Sequence, residues 1–165
     1  MNYATAPGPH TVNGFLQATG SQAVVGAASS GLTAYRPKWL SSENASTFKW
    51  GLYRSTYVHE GTTMFRSGDV NGFHSGEFWS SDLPRSIAQV REDKALPIRW
   101  ANGGKESIQN AGFAGEFTQK MPAYKGLTAP QTGLNGDFYR GGTNQTFVPR
   151  AYDAVDIKGY WSLTP

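Results

Sequence analysis

FKWGLYRSTYV, residues 48–58, marks the point at which the character of the chain changes. Large side chains alternate with small or polar ones along it, as in a half-buried strand. Dense aromatics and short alternating runs continue from there towards the C-terminus. Residues 1–47 are rich in Ala, Gly, Ser and Thr, a composition typical of a linker. We therefore predict a folded domain over residues 48–165, preceded by a linker or accessory N-terminal segment over residues 1–47.

Short strands dominate the secondary structure predicted after residue 58. TTMFRSG (62–68) can pair with the first strand, and HSGEFWSSD (74–82) supplies a third. Further strands are predicted in ALPIRWA (95–101), NQTFVP (144–149) and IKGYWSL (157–163).

The best helix signal lies in DLPRSIAQVRED, residues 82–93. Asp82 is the predicted N-cap, Pro84 falls in the first turn, and Ile87 and Val90 are apolar residues three positions apart. The glycine-rich region 111–134 predicts an irregular loop. The fold class is therefore α+β, a compact core of short twisted strands with one or two helices.

Composition excludes several classes of protein. The chain has 165 residues, enough for one domain, and its nine Phe, eight Tyr and five Trp predict an aromatic core. It has no cysteine, which rules out disulfides, thiolate zinc sites and cysteine nucleophiles. No apolar run has the length of a membrane span, and the first 20 residues lack the pattern of a secretion signal.

Enzyme motifs of the common kinds are also missing. The three histidines have no metal-site spacing, and neither a phosphate-binding P-loop nor a G-x-S-x-G elbow occurs. We therefore predict no metal site. The net charge is +3. The densest basic group comprises Arg85, Arg91, Lys94 and Arg99. It is interrupted by Glu92 and Asp93, a pattern that favours a solvated helix face.

The segment MFRSGDVNGFHSGEFWSSDLP, residues 64–84, contains candidate ligand-binding side chains. Arg66 ends a predicted strand, where its planar guanidinium could bind a phosphate through two hydrogen bonds. Phe78 and Trp79 could stack on a flat ring, and a following pair of small hydroxyl groups comes from Ser80 and Ser81. Such side chains can bind a dinucleotide without the glycine fingerprint of a Rossmann fold. The structural alternative is a core Phe78 and a surface Arg66.

A second candidate segment is GDFYRGGTNQTFVPR, residues 136–150. Gly141 and Gly142 allow close approach of the backbone, and Gln145 opens the following strand. A hairpin turn would explain the two glycines but does not require the glutamine.

The order of these segments resembles the NAD-consuming toxin domains at the C-termini of bacterial polymorphic and contact-dependent toxins. These are the tuberculosis-necrotizing-toxin-like NAD glycohydrolases and their ADP-ribosyltransferase-like relatives. The matching motifs are F-R-S-G (65–68), G-E-F-W-S-S (76–81), A-L-P (95–97), G-L-T-A-P-Q (126–131) and G-G-T-N-Q-T-F (141–147). The resemblance covers residues 62–150.

This resemblance implies an ADP-ribosyltransferase-like fold and NAD(P)+ as a substrate, with no bound cofactor. Arg66 takes the role of a phosphate contact, and Phe78 and Trp79 line the nicotinamide pocket, with Ser80 near it. Gln145 corresponds to the glutamine that holds the nicotinamide ribose or orients the attacking water. A glutamate often stands there in the transferases, so the neutral Gln145 favours hydrolysis over transfer.

A carboxylate normally helps to stabilise the positive charge that develops on the ribose when this bond breaks. Glu77, Asp82 and Asp137 are the candidates, and Asp137 ranks first because it is closest in sequence to Gln145. Tyr139 would border the same site.

Departures from the family pattern leave open a second arginine in place of Arg66. The glycine run before Gln145 is only two residues long, and the loop between Arg66 and Phe78 is longer than in the glycohydrolases. Arg54 could instead match the early Y-R of the transferases, with Ser80 and Ser81 standing for their S-T-S strand.

Two other functions stay open at this point. A metal-independent ribonuclease toxin acting on tRNA or other RNA would use His59 or His74 as general base and Arg54, Arg66 or Lys125 at the phosphate. A non-enzymatic binding module would act on neither NAD nor RNA. The toxin interpretation implies delivery as part of a larger secreted protein, action in the target-cell cytoplasm, and an acidic cognate immunity protein.

Overall fold

A computed structural model describes residues 4–5 and 40–165 and confirms a strand-rich α+β fold. The first strands are β1 (Ala4–Thr5), β2 (Phe48–Val58), β3 (Thr63–Gly68), β4 (Phe78–Trp79) and β5 (Ala111–Phe117). They are followed by β6 (Met121–Thr128), β7 (Gln131–Thr132), β8 (Phe138–Tyr139), β9 (Asn144–Phe147) and β10 (Val155–Ser162). The helices are α1 (Ser42–Ser46), α2 (Ile87–Asp93) and a 3-10 turn, Ala151–Asp153. None of the helices in this part of the chain has the length and apolar character needed to cross a membrane.

The strands form two main antiparallel sheets. The larger has the order β1-β2-β6-β9-β4, and the smaller has the order β10-β5-β3, while β7 and β8 form a separate hairpin. The two sheets meet where Phe65 of β3 and Ser80, just after β4, exchange two backbone hydrogen bonds of 2.8 Å. This junction brings together the two motifs of the segment 64–84.

Alternation along the strands divides the core into two clusters. One includes Val58, Trp79 and Phe117 and lies on the face of the large sheet that meets the small sheet. The other, which includes Phe48 and Tyr53, lies on the opposite face under α1. Phe48 and Tyr53 are five residues apart yet share a face, because the register of β2 shifts between them. The five residues from Tyr53 to Val58 contain no such shift and lead to the opposite face.

The alternation predicted the first two long strands correctly but not their pairing. β2 has the predicted bounds, and β3 begins one residue late, at Thr63. β2 pairs with β1 and β6, however, and β3 pairs with β5. The predicted hairpin between β2 and β3 is therefore wrong, because each strand finds its partner elsewhere in the chain.

The prediction of an irregular loop over residues 111–134 is also wrong. This region contains β5 and β6, which lie at the centre of the small sheet and inside the large one. The glycines of β5 lie beneath aromatic rings. A Cβ at Gly112 would lie 2.5 Å from the Trp161 ring, and one at Gly115 would lie 2.6 Å from the Trp79 ring. Glycine is required there by packing, so the usual sequence pattern of a strand is lost.

The predicted helix is present, but it starts later than expected. α2 begins at Ile87, and the N-cap is Ser86, whose hydroxyl accepts a hydrogen bond from Gln89 N at 3.2 Å. Asp82 is therefore not the cap. Residues 95–101 form no continuous strand, since only Arg99 and Trp100 make isolated bridges.

The predicted segment 1–47 lies mostly outside the described residues. Of the part that is described, β1 pairs with β2, and Leu40 and Ala45 are buried in the cluster under α1. The division at residue 48 stays a prediction.

Candidate functional site

A cavity of about 310 Å³ opens beside the junction of the two sheets. Its walls come from β3, β4, α2 and the start of β9, and this volume falls at the lower end of known ligand pockets. Six of the candidate residues named from the sequence line it: Arg66, Phe78, Trp79, Ser80, Asp82 and Gln145. The fold thus unites motifs that are separated by more than 60 residues in the sequence.

Arg66 supplies an unpaired positive charge to this cavity. Its Nη1 donates to the His74 carbonyl oxygen at 3.2 Å, and its guanidinium carbon lies 5.7 Å from the centre of the Trp79 ring. Its Nε is buried without a hydrogen-bond partner, and no carboxylate in the described part of the chain pairs with it. Burial lowers the pKa of Arg66 to about 10, so the group is still cationic at neutral pH. A buried, unpaired guanidinium is suited to binding an anion.

Gly76 makes room for that guanidinium. A Cβ added at this position would collide with the Nη1 and the Cζ of Arg66. Gly76 of the G-E-F-W-S-S motif therefore leaves the space that Arg66 of the F-R-S-G motif occupies.

The two predicted aromatic residues differ in their exposure. Trp79 is only 2% exposed, its Nε1 donates to the Gly76 carbonyl oxygen at 2.7 Å, and its ring packs on Phe117. It is mainly a core residue that forms part of the cavity wall. Phe78 is half-buried and packs against Phe147, with ring centres 4.9 Å apart. Phe78 is therefore the more open surface for stacking of a flat ring.

Lys94, which follows α2, is the centre of a polar network at the cavity. Its Nζ lies within 2.8–2.9 Å of Ser80 Oγ, Asp82 Oδ2, Thr143 Oγ1 and the Asn144 carbonyl oxygen. Four acceptors thus share three ammonium protons. The Ser80 hydroxyl also accepts from Asp82 N at 3.0 Å. The network ties the end of β4 and the start of β9 to the end of α2.

Asp82 is the carboxylate that the structure brings to the cavity. Burial raises its pKa, but the hydrogen bond and charge of Lys94, with smaller contributions from Ser80 and Lys125, outweigh burial and lower the pKa below its usual value. Asp82 is consequently ionised at neutral pH. An ionised carboxylate in a cavity wall can stabilise a developing positive charge.

Gln145 is buried in the wall formed by the start of β9. It is 8% exposed, and its Nε2 donates to Thr47 Oγ1 at 2.9 Å. It faces Thr47, at the end of α1, because Gln145 pairs with Gly126 on the face of the large sheet that carries Tyr53.

The other predicted site residues do not line the cavity. Asp137 is exposed in the turn between β7 and β8, where its carbonyl oxygen accepts from Gly133 N, and Tyr139 pairs with Gln131 in that hairpin. Ser81 is exposed beyond β4. Arg54 lies on β2, opposite Lys125.

Glu77 has a structural contact instead. Its Oε1 accepts a 2.7 Å hydrogen bond from the backbone N–H of Arg150, a residue with a φ of 57°. The glutamate therefore supports a strained turn, and it does not reach the cavity.

The glycines of the segment 136–150 also serve the fold. Gly141 has a φ of 61°, and a Cβ there would lie 2.8 Å from the Thr128 carbonyl oxygen. Its N–H donates to the Glu92 carbonyl oxygen. Gly141 and Gly142 thus let the chain pass between the ends of β6 and α2, and the close approach is to backbone.

Neither histidine of the ribonuclease interpretation lines the cavity. His59 is exposed in the turn after β2. His74 stacks on Phe113 with ring centres 4.5 Å apart, and its Nε2 lies 2.8 Å from the Val70 carbonyl oxygen, which it can contact only as a donor. Among the described residues, no three side chains of His, Asp or Glu gather into a possible metal site.

Sequence reasoning missed Lys94 and Thr47. The charge pattern predicts that Lys94 and Arg91 lie on a solvated helix face, yet both side chains turn inward. The guanidinium of Arg91 donates to the carbonyl oxygens of Leu96 and Ser107. No local signal distinguishes Lys94 from an exposed lysine, since its neighbours Glu92 and Asp93 are acidic.

The fold is similar to that of Tne2, solved in complex with Tni2. The identity is 16%, the alignment covers 68% of this chain and 92% of Tne2, and the TM-score is 0.53. Rhs1-CT in complex with its cognate immunity protein RhsI1 has 15% identity, coverage of 68% and 83%, and a TM-score of 0.49. Tse6 in complex with Tsi6 has 14% identity, coverage of 72% and 81%, and a TM-score of 0.45. No protein-family model matches the sequence, and no curated protein matches it. At this identity, the likeness to Tne2 shows a shared fold.

Proposed function

We propose that this chain is an NAD(P)+ glycohydrolase toxin domain, which hydrolyses the bond between nicotinamide and ribose. It would be delivered as part of a larger secreted protein and would deplete NAD(P)+ in the cytoplasm of the target cell. The observation that carries the proposal is that Arg66, Phe78 and Gln145 line the same cavity. These residues come from the motifs on which the resemblance to NAD glycohydrolases rests.

Each side chain has a role that follows from its chemistry. Arg66 binds the pyrophosphate, since it is cationic and has no carboxylate partner among the described residues. Phe78 packs against the nicotinamide ring, and Gln145 contacts the ribose or the attacking water. A cavity of about 310 Å³ suits the nicotinamide riboside end, so the adenosine end extends towards solvent.

The reaction needs no bound cofactor. The bond between ribose C1′ and the nicotinamide nitrogen breaks, and nicotinamide leaves with the bonding electrons as a neutral molecule. The water oxygen then bonds to C1′, and a proton is released. The ribose passes through an oxocarbenium-like state, and Asp82, which lines the cavity and is ionised, would stabilise its charge. Asp82 takes this role instead of Asp137.

The comparison supports a protein partner. Tne2, whose fold this chain shares, was solved in a complex with Tni2. A dedicated immunity protein that covers the cavity would protect the producing cell. We expect it to be acidic, because the chain carries a net charge of +3.

The test is release of free nicotinamide from NAD+ and from NADP+ by purified protein. Gln145→Ala should lower the turnover at least a hundredfold, the range for loss of one oriented polar group at a reacting centre. Gln119→Ala, the same change at an exposed glutamine, should not alter it. Intact NAD+ and NADP+ together with discrete cleavage of cellular RNA would favour the ribonuclease instead. No change in either substrate would favour a binding module.

A further inference from the structure

Thr47 links α1 to β2, and the direction of its hydrogen bonds is determined. Its hydroxyl donates its only proton to the Asn44 carbonyl oxygen at 2.7 Å. The hydroxyl oxygen therefore offers lone pairs to Gln145, 2.9 Å away. The Thr47 carbonyl oxygen is a second acceptor for Gln145, at 3.4 Å, and it also accepts from Ala129 N. Gln145 thus faces two oxygens of Thr47 that can only accept.

These two acceptors determine the orientation of the Gln145 carboxamide. Its NH2 group must face Thr47, since the reverse orientation would place Oε1 against two acceptors. Oε1 consequently turns away from Thr47. It accepts no hydrogen bond from the described residues and is not among their buried unpartnered atoms. What Gln145 offers to the cavity is therefore an acceptor.

We propose that Thr47 is a positioning residue that holds the carbonyl oxygen of Gln145 towards the cavity, so that this wall binds an O–H donor. The identity of that donor as a ribose hydroxyl or the attacking water rests on the proposed function. The orientation of the amide does not depend on it.

The same geometry gives a physical reason for glutamine at this position. A glutamate at residue 145 would place a negatively charged oxygen against both oxygens of Thr47, where only a protonated carboxyl could donate. The neutral side chain thus matches the two acceptors of Thr47.

The first experiment is NMR of the full chain, without substrate. The side-chain NH2 signals of Gln145 are assigned by their loss in Gln145→Ala, and their hydrogen exchange is measured. Thr47→Val keeps the shape of the side chain and removes the hydroxyl acceptor, and we expect exchange about tenfold faster, in line with the loss of one hydrogen bond. Thr47→Ser retains the hydroxyl and should show the original exchange rate. Equal exchange in all three proteins would overturn the inference.

A second variant keeps the test decisive if Thr47→Val does not fold. In Gln145→Glu, the carboxyl group is titrated by carbon-detected NMR. We expect a pKa above the ordinary value of about 4.3 for glutamate. A pKa at or below that value would mean that the side chain does not face the acceptors of Thr47.

Kinetics then connect the orientation to the reaction. Thr47→Val should lower kcat for NAD+ about tenfold with little change in KM, and Thr47→Ser should restore kcat. If the original protein releases no nicotinamide, the proposed function fails, while the NMR results still decide the orientation. If the NMR results are as expected but Thr47→Val has the original kcat, Thr47 is not a positioning residue for this reaction.

Discussion

Replacing Lys94 with methionine is the most informative single change at the site. Methionine keeps most of the length and apolar volume of the side chain and removes the ammonium group. Four oxygens then lose their shared donor, among them Asp82 Oδ2 and the carbonyl oxygen of Asn144, which precedes Gln145. The change therefore tests whether the network supports both the fold and the cavity wall.

The size of the effect follows from the burial of the pair. Breaking a buried ion pair from one side costs about 3–5 kcal/mol, whereas an exposed pair contributes about 0–1 kcal/mol. The side chain of Lys94 is 18% exposed and that of Asp82 is 38% exposed, so solvent screens the pair in part. We expect a loss of about 2 kcal/mol in the free energy of unfolding. For a chain of this length, that lowers the melting temperature by about 4–8 °C.

The loss should depend on pH. The pKa of Asp82 is lowered in the folded state, so the folded protein binds fewer protons than the unfolded chain just below the ordinary pKa. The stabilisation is complete above that ordinary value of about 3.9 and is lost as the pH falls through the folded pKa. The difference between the original protein and Lys94→Met should be full at pH 7 and should narrow below about pH 4.

The assay is chemical denaturation at pH 7 and at several values below pH 4, in a double-mutant cycle with Asp82→Asn. The coupling between the two changes should be about 1–2 kcal/mol at pH 7. Lys158→Met removes an exposed lysine that pairs with Glu116 and should leave the melting temperature close to the original. A coupling near zero at pH 7, or the same loss from Lys94→Met at pH 7 and pH 3, would refute the reasoning.

Two further predictions concern the cavity itself. Gly76→Ala should displace the Arg66 guanidinium and weaken NAD+ binding at least tenfold by calorimetry, whereas Gly159→Ala, which adds a Cβ in open space, should bind normally; equal binding by both variants would separate Arg66 from the ligand. Asp82→Asn should lower nicotinamide release at least tenfold while Asp137→Asn leaves it unchanged, and the opposite order would restore Asp137 as the catalytic carboxylate.

Much of the fold follows from local patterns. The alternation in residues 48–58 predicts β2 with its correct bounds, although both faces of the strand contact a core, Tyr53 in one cluster and Val58 in the other. β5 gives no such signal, since its glycines leave space that Trp79 and Trp161 fill. Glycines in a strand can be recognised as space for an aromatic ring only when the residue that supplies the ring is known.

The candidate site, like the fold, could be predicted only in part from the sequence. Arg66, Phe78 and Gln145 could be proposed from motifs, and the cavity includes all three. The sequence favours Asp137 as the carboxylate because it is close to Gln145 along the chain, yet it lies in an exposed turn, and Asp82 lines the cavity instead. Closeness along the chain does not predict closeness in space here, because β8 lies between Asp137 and Gln145.

By itself, the sequence determined the strand-rich class, the absence of cysteine chemistry and the motifs that supply Arg66, Phe78 and Gln145. Only the tertiary structure decided which side chains contact one another and in which direction their hydrogen bonds run. Lys94 contacts Thr143 and Asn144, 49 and 50 residues later, and Thr47 orients Gln145 across 98 residues. Local sequence cannot encode the direction of such hydrogen bonds, because each depends on a donor and an acceptor that the packing of the two sheets brings together.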